Sequence, residues 1–220
     1  MIEFSNVTKR FRTLSGEKTI LSNASFIFPT GHNVGVLGGN GTGKSTLMRL
    51  ISGAELPDAG AITRHRRVSF PLGFTGTFHP DLTGRQNARF LARVYRQDVQ
   101  DLTDFVEDFA ELGAYFDEPT RTYSSGMLAR FAFGVSFAIK FDVYLIDEIT
   151  EVGDAAFRRK CAAMFRNKLV TSDIVLVSHN THTIRSYCDM AAVLHGGSLT
   201  LYSSLEEAMR VYRSLVADDA

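Results

Sequence analysis

The chain has 220 residues, which is long enough for one sizeable α/β domain or for a core domain with an inserted lobe. Its 24 Lys and Arg residues balance 24 Asp and Glu residues, so the net charge gives no indication of nucleic acid as a partner. The N-terminal sequence lacks the charged-then-apolar layout of a signal peptide. The longest apolar stretch, 131–139, is far too short to cross a bilayer, so we expect no direct insertion into lipid.

Two local features of the composition have ordinary explanations. Cys161 and Cys188 lack the spacing of a metal site, and Cys161 falls on an apolar helical stripe. Both are therefore expected to be reduced thiols of a cytosolic protein. The densest basic run, 64–67, is short, which favours a solvated hairpin face over a contact with nucleic-acid phosphates.

The N-terminal third is predicted to be built mainly of strands. The predicted strands are 2–4, 20–28, 33–37 and 67–71. Turn residues follow the second strand at Pro29 and occur again at Pro57. Between the third and fourth strands, apolar residues recur at helical spacing.

From about residue 82 the apolar period becomes helical and remains so to about residue 140. Two apolar stripes mark this block. The first consists of Phe90, Leu91, Val94 and Tyr95, and the second of Leu102, Phe105, Val106, Phe109 and Leu112. We expect a helical lobe of about residues 82–140, inserted into a single domain that spans residues 1–220.

The remainder alternates between strands and helices. The runs 143–146 and 174–177 are continuously apolar, which is typical of strands buried on both faces of a parallel sheet. A helical stripe over 157–169 separates them, and a final helix is predicted from about residue 204. Such alternation predicts an α/β fold with a doubly wound, mostly parallel sheet and right-handed crossovers.

The most informative segment is the glycine-rich run at 38–46. It matches the pattern G-x-x-x-x-G-K-[ST], in which glycines let backbone N–H groups surround an anion. The pattern predicts a nucleoside triphosphate site in which Lys44 reaches the β- and γ-phosphates and the Ser45 hydroxyl ligates Mg²⁺. The predicted phosphate-binding residues are Gly38, Gly39, Asn40, Gly41, Thr42, Gly43, Lys44, Ser45 and Thr46.

Three titratable residues follow buried strands of the predicted sheet. Asp147 and Glu148 end the strand that begins near Val143, at the sheet edge where ligands bind in open α/β folds. Asp147 is predicted to hold the Mg²⁺ shell through water, and Glu148 to orient the attacking water. His179 follows the next strand and is predicted to hydrogen-bond the γ-phosphate.

Residues 124–126, Ser-Ser-Gly, directly precede an apolar helix. They provide a helix N-cap and exposed N–H groups, so they define either a second anion site or a simple cap. Taken alone, these residues favour the simple cap.

The order of these segments resembles that of the ATP-binding subunits of ABC transporters, over essentially the whole chain. That family implies a P-loop NTPase core with an N-terminal antiparallel β-subdomain and the inserted helical lobe. Ser124, Ser125, Gly126 and Met127 resemble the family signature, which is usually Leu-Ser-Gly-Gly-Gln. Details such as Phe78 to Gly84 further resemble the branch that exports capsular polysaccharides and related glycans.

The resemblance implies a homodimer that binds two ATP molecules with Mg²⁺ between its subunits. Ser124 and Gly126 would then contact the γ-phosphate of the ATP held by the partner's Lys44, and Asp154 would lie in the loop that crosses the dimer seam. Phe11 matches the aromatic residue that stacks on adenine, with an ordinary core residue as the alternative. The implied partners are integral-membrane permease subunits, and the implied location is the cytoplasmic face of the inner membrane. The sequence does not identify the glycan, and the ATPase motifs alone leave open a transporter of another substrate, including an importer.

One position departs from the family pattern. Most relatives have a Gln after the strand that precedes the lobe, where it touches Mg²⁺ and relays to the permease, but here Gly73 occupies that place and Gln86 lies far downstream. The contact with the permease is predicted around residues 74–80, where Phe74 and Phe78 either face the partner or pack inward.

Three other functions fit the sequence less well. A soluble ABC-type ATPase of DNA repair or translation would need a coiled-coil insertion or a second cassette, and neither is present in this sequence. A GTP-dependent switch would need Asn-Lys-x-Asp, and the run that begins at Asn167 ends in Val170. A regulatory module that binds nucleotide without turnover is disfavoured by Glu148 and His179.

Overall fold

The computed structural model describes residues 1–14, 16–73, 76, 78–147, 154–178 and 181–218. The chain divides into two compact units. The first consists of Met1–Pro71, Asp142–Ile149 and Ser172–Ala220, and the second of Leu72–Phe141 and Thr150–Thr171.

The first unit begins with a three-stranded antiparallel sheet. Its strands are β1 (Ile2–Thr13), β2 (Gly16–Phe28) and β4 (Ala59–Arg64), in the order β2-β1-β4. Buried residues alternate along much of β1 and β2, with Ile20 and Leu21 both buried at a shift in register, and the rings of Phe4, Phe26 and Phe28 pack against one another with centroids 4.6–6.5 Å apart. The sheet therefore has one core face, as its alternation of apolar and polar residues requires. This is the expected N-terminal antiparallel β-subdomain.

A six-stranded sheet forms the centre of the first unit. Its strands are β3 (Val34–Leu37), β5 (Val68–Pro71), β6 (Val143–Asp147), β7 (Asp173–Val177), β8 (Met190–His195) and β9 (Ser198–Tyr202). The order is β5-β6-β7-β3-β8-β9, and every neighbouring pair is parallel except β8 and β9. All four residues of β3 are buried, because a central parallel strand is covered on both faces. The predicted α/β fold class is thereby confirmed.

Three helices belong to the first unit: α1 (Lys44–Ser52), α6 (Thr181–Tyr187) and α7 (Leu205–Asp218). Helix α1 buries the predicted apolar stripe and ends at Gly53, whose left-handed φ of 86° lets its N–H bond back to Arg49 and Leu50. No helix in the described part of the chain is long and apolar enough to span a membrane.

The second unit is helical. It contains α2 (Gly84–Val94), α3 (Val99–Ala110), α4 (Ser125–Ala138) and α5 (Ala155–Leu169). Phe109 lies at its centre, with the rings of Phe137 and Phe157 each 5.5 Å away in edge-on geometry. Residues 82–140, proposed as an inserted lobe, fall within this unit, which also includes α5.

Both cysteines are free thiols in the structure, as expected. Burial raises the pKa of Cys161 to about 11 and that of Cys188 to about 12. Since a thiol must ionise to react, both side chains are expected to be inert at neutral pH.

Three expectations from local sequence are wrong. Strand β1 continues to Thr13 rather than ending near residue 4. The exposed fractions of Phe90 and Val94 are 53% and 55%, whereas Leu91 of the same predicted stripe is buried, because the buried face of α2 also includes Ala88 and Ala92 and is rotated away from Phe90.

The third expectation concerns the basic run at 64–67, which does not form a hairpin because β4 and β5 belong to different sheets. Arg64 donates to the Ile51 carbonyl at 2.7 Å, and Arg66 pairs with Asp173 at 2.6 Å. Both guanidinium groups therefore serve the internal structure of the first unit.

Candidate nucleotide-binding site

Strand register brings the glycine-rich loop and Asp147 to one edge of the sheet. Val177 on β7 is paired with Val36 on one side and with Asp147 on the other. All three strands are parallel, so each ends at the same edge. Because neighbouring strands lie about 4.8 Å apart, the backbones of Asp147 and Val36 are about 10 Å apart. The loop that leaves β3 and the carboxylate that ends β6 therefore lie within reach of one ligand.

Three glycines of the loop, Gly38, Gly41 and Gly43, fill positions that other residues could occupy only with strain or a steric clash. Gly41 and Gly43 have left-handed φ values of 76° and 107°. A Cβ on Gly43 would lie 2.5 Å from Cγ2 of Ile20, and a Cβ on Gly38 would lie 2.9 Å from the Leu194 carbonyl oxygen. The loop backbone therefore follows a path that requires glycine at both ends of the motif.

The start of helix α1 is electropositive. Gly43 is its N-cap and has no side chain to accept a bond from the first turn, which also contains no acidic residue. Free N–H groups and the helix dipole favour an anion at such an end. Lys44 Nζ donates to the carbonyl oxygens of Gly38 at 2.7 Å and Gly39 at 2.9 Å, which places the ammonium over the loop.

The two hydroxyls after Lys44 have different surroundings. Ser45 is exposed, whereas Thr46 is buried and its Oγ1 accepts a bond from Arg49 at 3.2 Å. Ser45 is thus the more exposed of the two hydroxyls, and the phosphate-binding role of Thr46 stays a prediction. Asn40 and Gly41 are also exposed at the tip of the loop, while Thr42 Oγ1 donates to the Gly39 carbonyl at 2.9 Å.

Phe11 is half-buried on β1, where it packs against the core of the first unit. Lys9 Nζ lies 5.1 Å from the centroid of its ring. This cation–π contact and the core packing fit an ordinary structural role for Phe11. The exposed part of its ring is accessible to a nucleotide base. Adenine stacking on Phe11 stays a prediction.

The signature residues begin helix α4 of the second unit. Ser124 is the N-cap, and its Oγ accepts a bond from the N–H of Met127 at 3.2 Å. Ser125 is exposed, and among the described residues the one atom that a Cβ on Gly126 would meet within 4 Å is Ser124 Oγ, at 4.0 Å. Internal packing therefore does not explain why residue 126 is glycine.

Asp154 is held at the start of α5 by three bonds. One carboxylate oxygen accepts from the N–H groups of Ala156 and Phe157, both at 2.9 Å, and the other from the guanidinium of Arg130 at 2.7 Å. The N–H of Phe157 makes the largest contribution to holding the pKa of Asp154 below its usual value.

Arg130 was not singled out in the sequence. It also stacks over the Phe157 ring at 4.5 Å and pairs with Glu111 at 3.3 Å. It comes four residues after Gly126, so it lies about one helical turn along α4 from the signature. This spacing of one turn is the sequence feature that could have drawn attention to Arg130. Its pairing with Asp154 is not evident from the sequence, because the two residues are 24 positions apart.

The departure at Gly73 has a local explanation. Gly73 has a φ of 76°, and a Cβ on it would lie 2.9 Å from the Phe133 ring, so a Gln side chain does not fit there without strain. Gln86 Oε1 instead accepts the N–H of Thr83 in the capping box that begins α2. Phe78 contacts Phe131 with ring centroids 4.7 Å apart, so it packs inward within the second unit.

Several predicted residues lie outside the described part of the chain. These are Glu148, His179 and Phe74. Their assigned roles stay predictions.

A glycine-rich loop that joins a buried parallel strand to a helix, with a carboxylate at the same sheet edge, defines the class of P-loop nucleotide-binding proteins. Within that class, the sequence matches the ABC transporter family over residues 21–151. The chain belongs to this family, and it is a nucleotide-binding member with an ABC ATPase fold.

Full-length relatives are ATP-binding proteins of polysaccharide transport. The polysialic acid transport ATP-binding protein KpsT of Escherichia coli is 46% identical over 97% of this chain and 99% of its own. The capsule polysaccharide export ATP-binding protein CtrD of Neisseria meningitidis serogroup B is 45% identical over 98% of this chain and 100% of its own.

Among solved structures, the fold is similar to a dimeric post-hydrolysis state of the ATP-binding cassette MJ0796 bound to ADP and Pi. The TM-score is 0.74 at 19% identity, over 92% of this chain and 98% of that one. At this low sequence identity, the similarity shows a shared fold and nothing more.

Proposed function

We propose that the chain is the ATP-hydrolysing subunit of a transporter that exports capsular polysaccharide or a related glycan. The observation that carries the proposal is the loop at 38–46, whose glycines, exposed Ser45 and Lys44 ammonium suit an anion at the sheet edge of Asp147. Similarity to capsule export proteins over almost the full length of both chains supports the choice of a glycan as cargo.

In this proposal the chain's own residues position ATP for attack by water. The loop N–H groups and Lys44 bind the β- and γ-phosphates and stabilise the charge that develops on the transferred phosphoryl group. Glu148 orients and polarises the attacking water, and His179 hydrogen-bonds the γ-phosphate. The Phe11 ring stacks on adenine.

The site also fits a magnesium ion. Ser45 offers an exposed hydroxyl and Asp147 a carboxylate at the same edge, and both are the oxygen ligands that Mg²⁺ prefers. We assign Ser45 as a direct ligand and Asp147 as a ligand through water. When bound, Mg²⁺ would neutralise charge on the phosphate oxygens.

The signature residues are assigned to a second subunit's ATP. Ser124, Ser125, Gly126 and Met127 start a helix whose exposed N–H groups favour an anion, and the open space over Gly126 permits the close approach of a phosphate. Two chains would then enclose two ATP molecules, with Asp154 in the loop at the seam. The fold likeness to a dimeric cassette supports this arrangement.

ATP-driven closure of the homodimer would act on integral-membrane permease subunits at the cytoplasmic face of the inner membrane. The helical lobe of residues 82–140, within a domain spanning 1–220, is proposed as the part that transmits the movement. The loop at 74–80 is proposed to contact the permease without the glutamine that most relatives use.

The catalytic assignment is tested by ATP turnover of Glu148→Gln. We expect hydrolysis to fall at least about 100-fold, because the amide cannot accept the proton of the attacking water. The matched control is Glu207→Gln on α7, an exposed position where the same chemical change should leave the rate within about twofold of wild type. Equal rates for wild type and Glu148→Gln would refute the role of this carboxylate.

A further inference from the structure

One face of strand β2 covers the phosphate loop. Ile20 on that face fills the space above Gly43, where a Cβ would lie 2.5 Å from its Cγ2. Lys18 lies two residues earlier, so its side chain points to the same face. A Cβ built on Gly41 would lie 3.5 Å from Lys18 Nζ, which places this ammonium beside the exposed tip of the loop.

Strand register also places Lys18 opposite Phe11. The two residues are Cα partners in the antiparallel pair of β1 and β2. Directly opposed residues point to the same face of a sheet, with Cβ atoms about 5 Å apart. Lys18 therefore lies beside the ring assigned to adenine and also beside the loop assigned to the phosphates.

The charge of Lys18 is not neutralised within the described part of the chain, where no carboxylate pairs with it. The adjacent carboxylate, Glu17, points to the opposite face and pairs with Arg10 at 3.2 Å. Lys9, by contrast, is nearly fully buried and pairs with Glu55 at 2.6 Å and with Asp58 at 3.2 Å. A lysine held next to an anion-binding loop without a carboxylate partner has the chemistry of a phosphate ligand.

We propose that Lys18 is a second phosphate-binding lysine of this site, which contacts the α- and β-phosphates of bound ATP or ADP. This inference rests on the proposed nucleotide site. A nucleotide with its base on Phe11 and its terminal phosphates in the loop has its α-phosphate between them, where Lys18 Nζ lies. Lys44 serves the β- and γ-phosphates from the other side of the loop.

The test is the dissociation constant for ATP and for ADP, measured by calorimetry on the full chain. Lys18→Gln removes the charge and keeps most of the aliphatic side chain. We expect the dissociation constant of both nucleotides to rise about tenfold, which corresponds to the loss of one charge-assisted hydrogen bond. Lys18→Arg should recover binding to within about threefold of wild type.

Arg12→Gln is the matched control. Arg12 is exposed on the same ribbon, but it is the partner of Glu17 and so points to the other face. We expect its dissociation constants to stay within about twofold of wild type. Thermal unfolding of each variant checks that the exposed substitutions leave the fold unchanged.

The outcomes separate the inference from the function on which it rests. Equal affinity of wild type and Lys18→Gln for both nucleotides would overturn the role of Lys18 while leaving the nucleotide site intact. Weaker binding of ATP with unchanged binding of ADP would also overturn the proposed role of Lys18, because its contact would then be with the γ-phosphate. If wild type binds neither nucleotide, the proposed function itself fails.

Discussion

Asn87 is the residue that fixes the start of the helical unit. It is 1% exposed, its amide nitrogen lies 3.1 Å from each of the carbonyl oxygens of His79, Leu82 and Thr83, and its Oδ1 accepts the N–H of His79 at 2.9 Å. A buried amide with so many backbone partners orders the segment that leads into α2. Truncating the side chain leaves the N–H of His79 without its acceptor and removes one donor from each carbonyl, although each of the three carbonyl oxygens keeps at least one other donor.

We therefore predict that Asn87→Ala lowers the free energy of unfolding by about 2 kcal/mol and the Tm by about 6 °C. Arg89→Ala on the exposed face of the same helix is the control, with an expected change within about 0.5 kcal/mol. Thermal denaturation followed by circular dichroism measures both. A Tm for Asn87→Ala equal to that of the control would show that the bonds to 79–83 contribute little.

At the scale of elements, Asp154 and Arg130 join the starts of two helices. Asp154 caps α5 with two backbone bonds, and its second oxygen ties the cap to Arg130 on α4, the helix that carries the signature. Lys160 adds a bond from α5 to the Phe109 carbonyl near the end of α3, at 3.1 Å. The signature helix and the start of α5 are therefore expected to move together.

Two substitutions at Asp154 separate the cap from the charge. Asparagine is as good an N-cap as aspartate, so Asp154→Asn should keep most of the stability, whereas Asp154→Ala should lower the Tm by about 3 °C. Scanning calorimetry at pH 7 compares them. Indistinguishable Tm values for the two variants would show that the cap contributes nothing.

The ionised form of Asp154 also predicts a pH dependence. Hydrogen bonds from backbone N–H groups and from Arg130 hold the pKa of Asp154 below its ordinary value of 3.8. The ionised carboxylate therefore stabilises the folded state fully above pH 3.8, and this contribution is lost as the pH falls through the lower pKa of the folded state. The Tm difference between wild type and Asp154→Asn should accordingly shrink in acid.

At the scale of the whole molecule, the sequence predicted the architecture better than the details of packing. Apolar runs identified β3, β6 and β7, because strands buried on both faces have no polar positions to interrupt them. The phosphate loop could be predicted because the chemistry of each residue in its motif explains why that residue occurs there. These features depend on nearest neighbours along the chain.

The features that the sequence did not predict depend on contacts between residues that are distant along the chain. Phe90 and Val94 share a stripe of α2 with the buried Leu91, yet both are exposed, while Ala88 is fully buried. The pairing of Arg130 with Asp154 joins residues 24 positions apart. The place of Lys18 beside Gly41 depends on the register of two strands, which no local pattern specifies.

The proposed function requires that two chains enclose ATP between the loop of one and the signature of the other. Light scattering on Glu148→Gln, with and without MgATP, tests it most directly. We predict that the mass doubles only with MgATP, and that adding Ser124→Arg to the same variant keeps it monomeric while calorimetry still detects ATP binding. A variant that binds MgATP and remains monomeric, or a Ser124→Arg form that still dimerises, would contradict the claim.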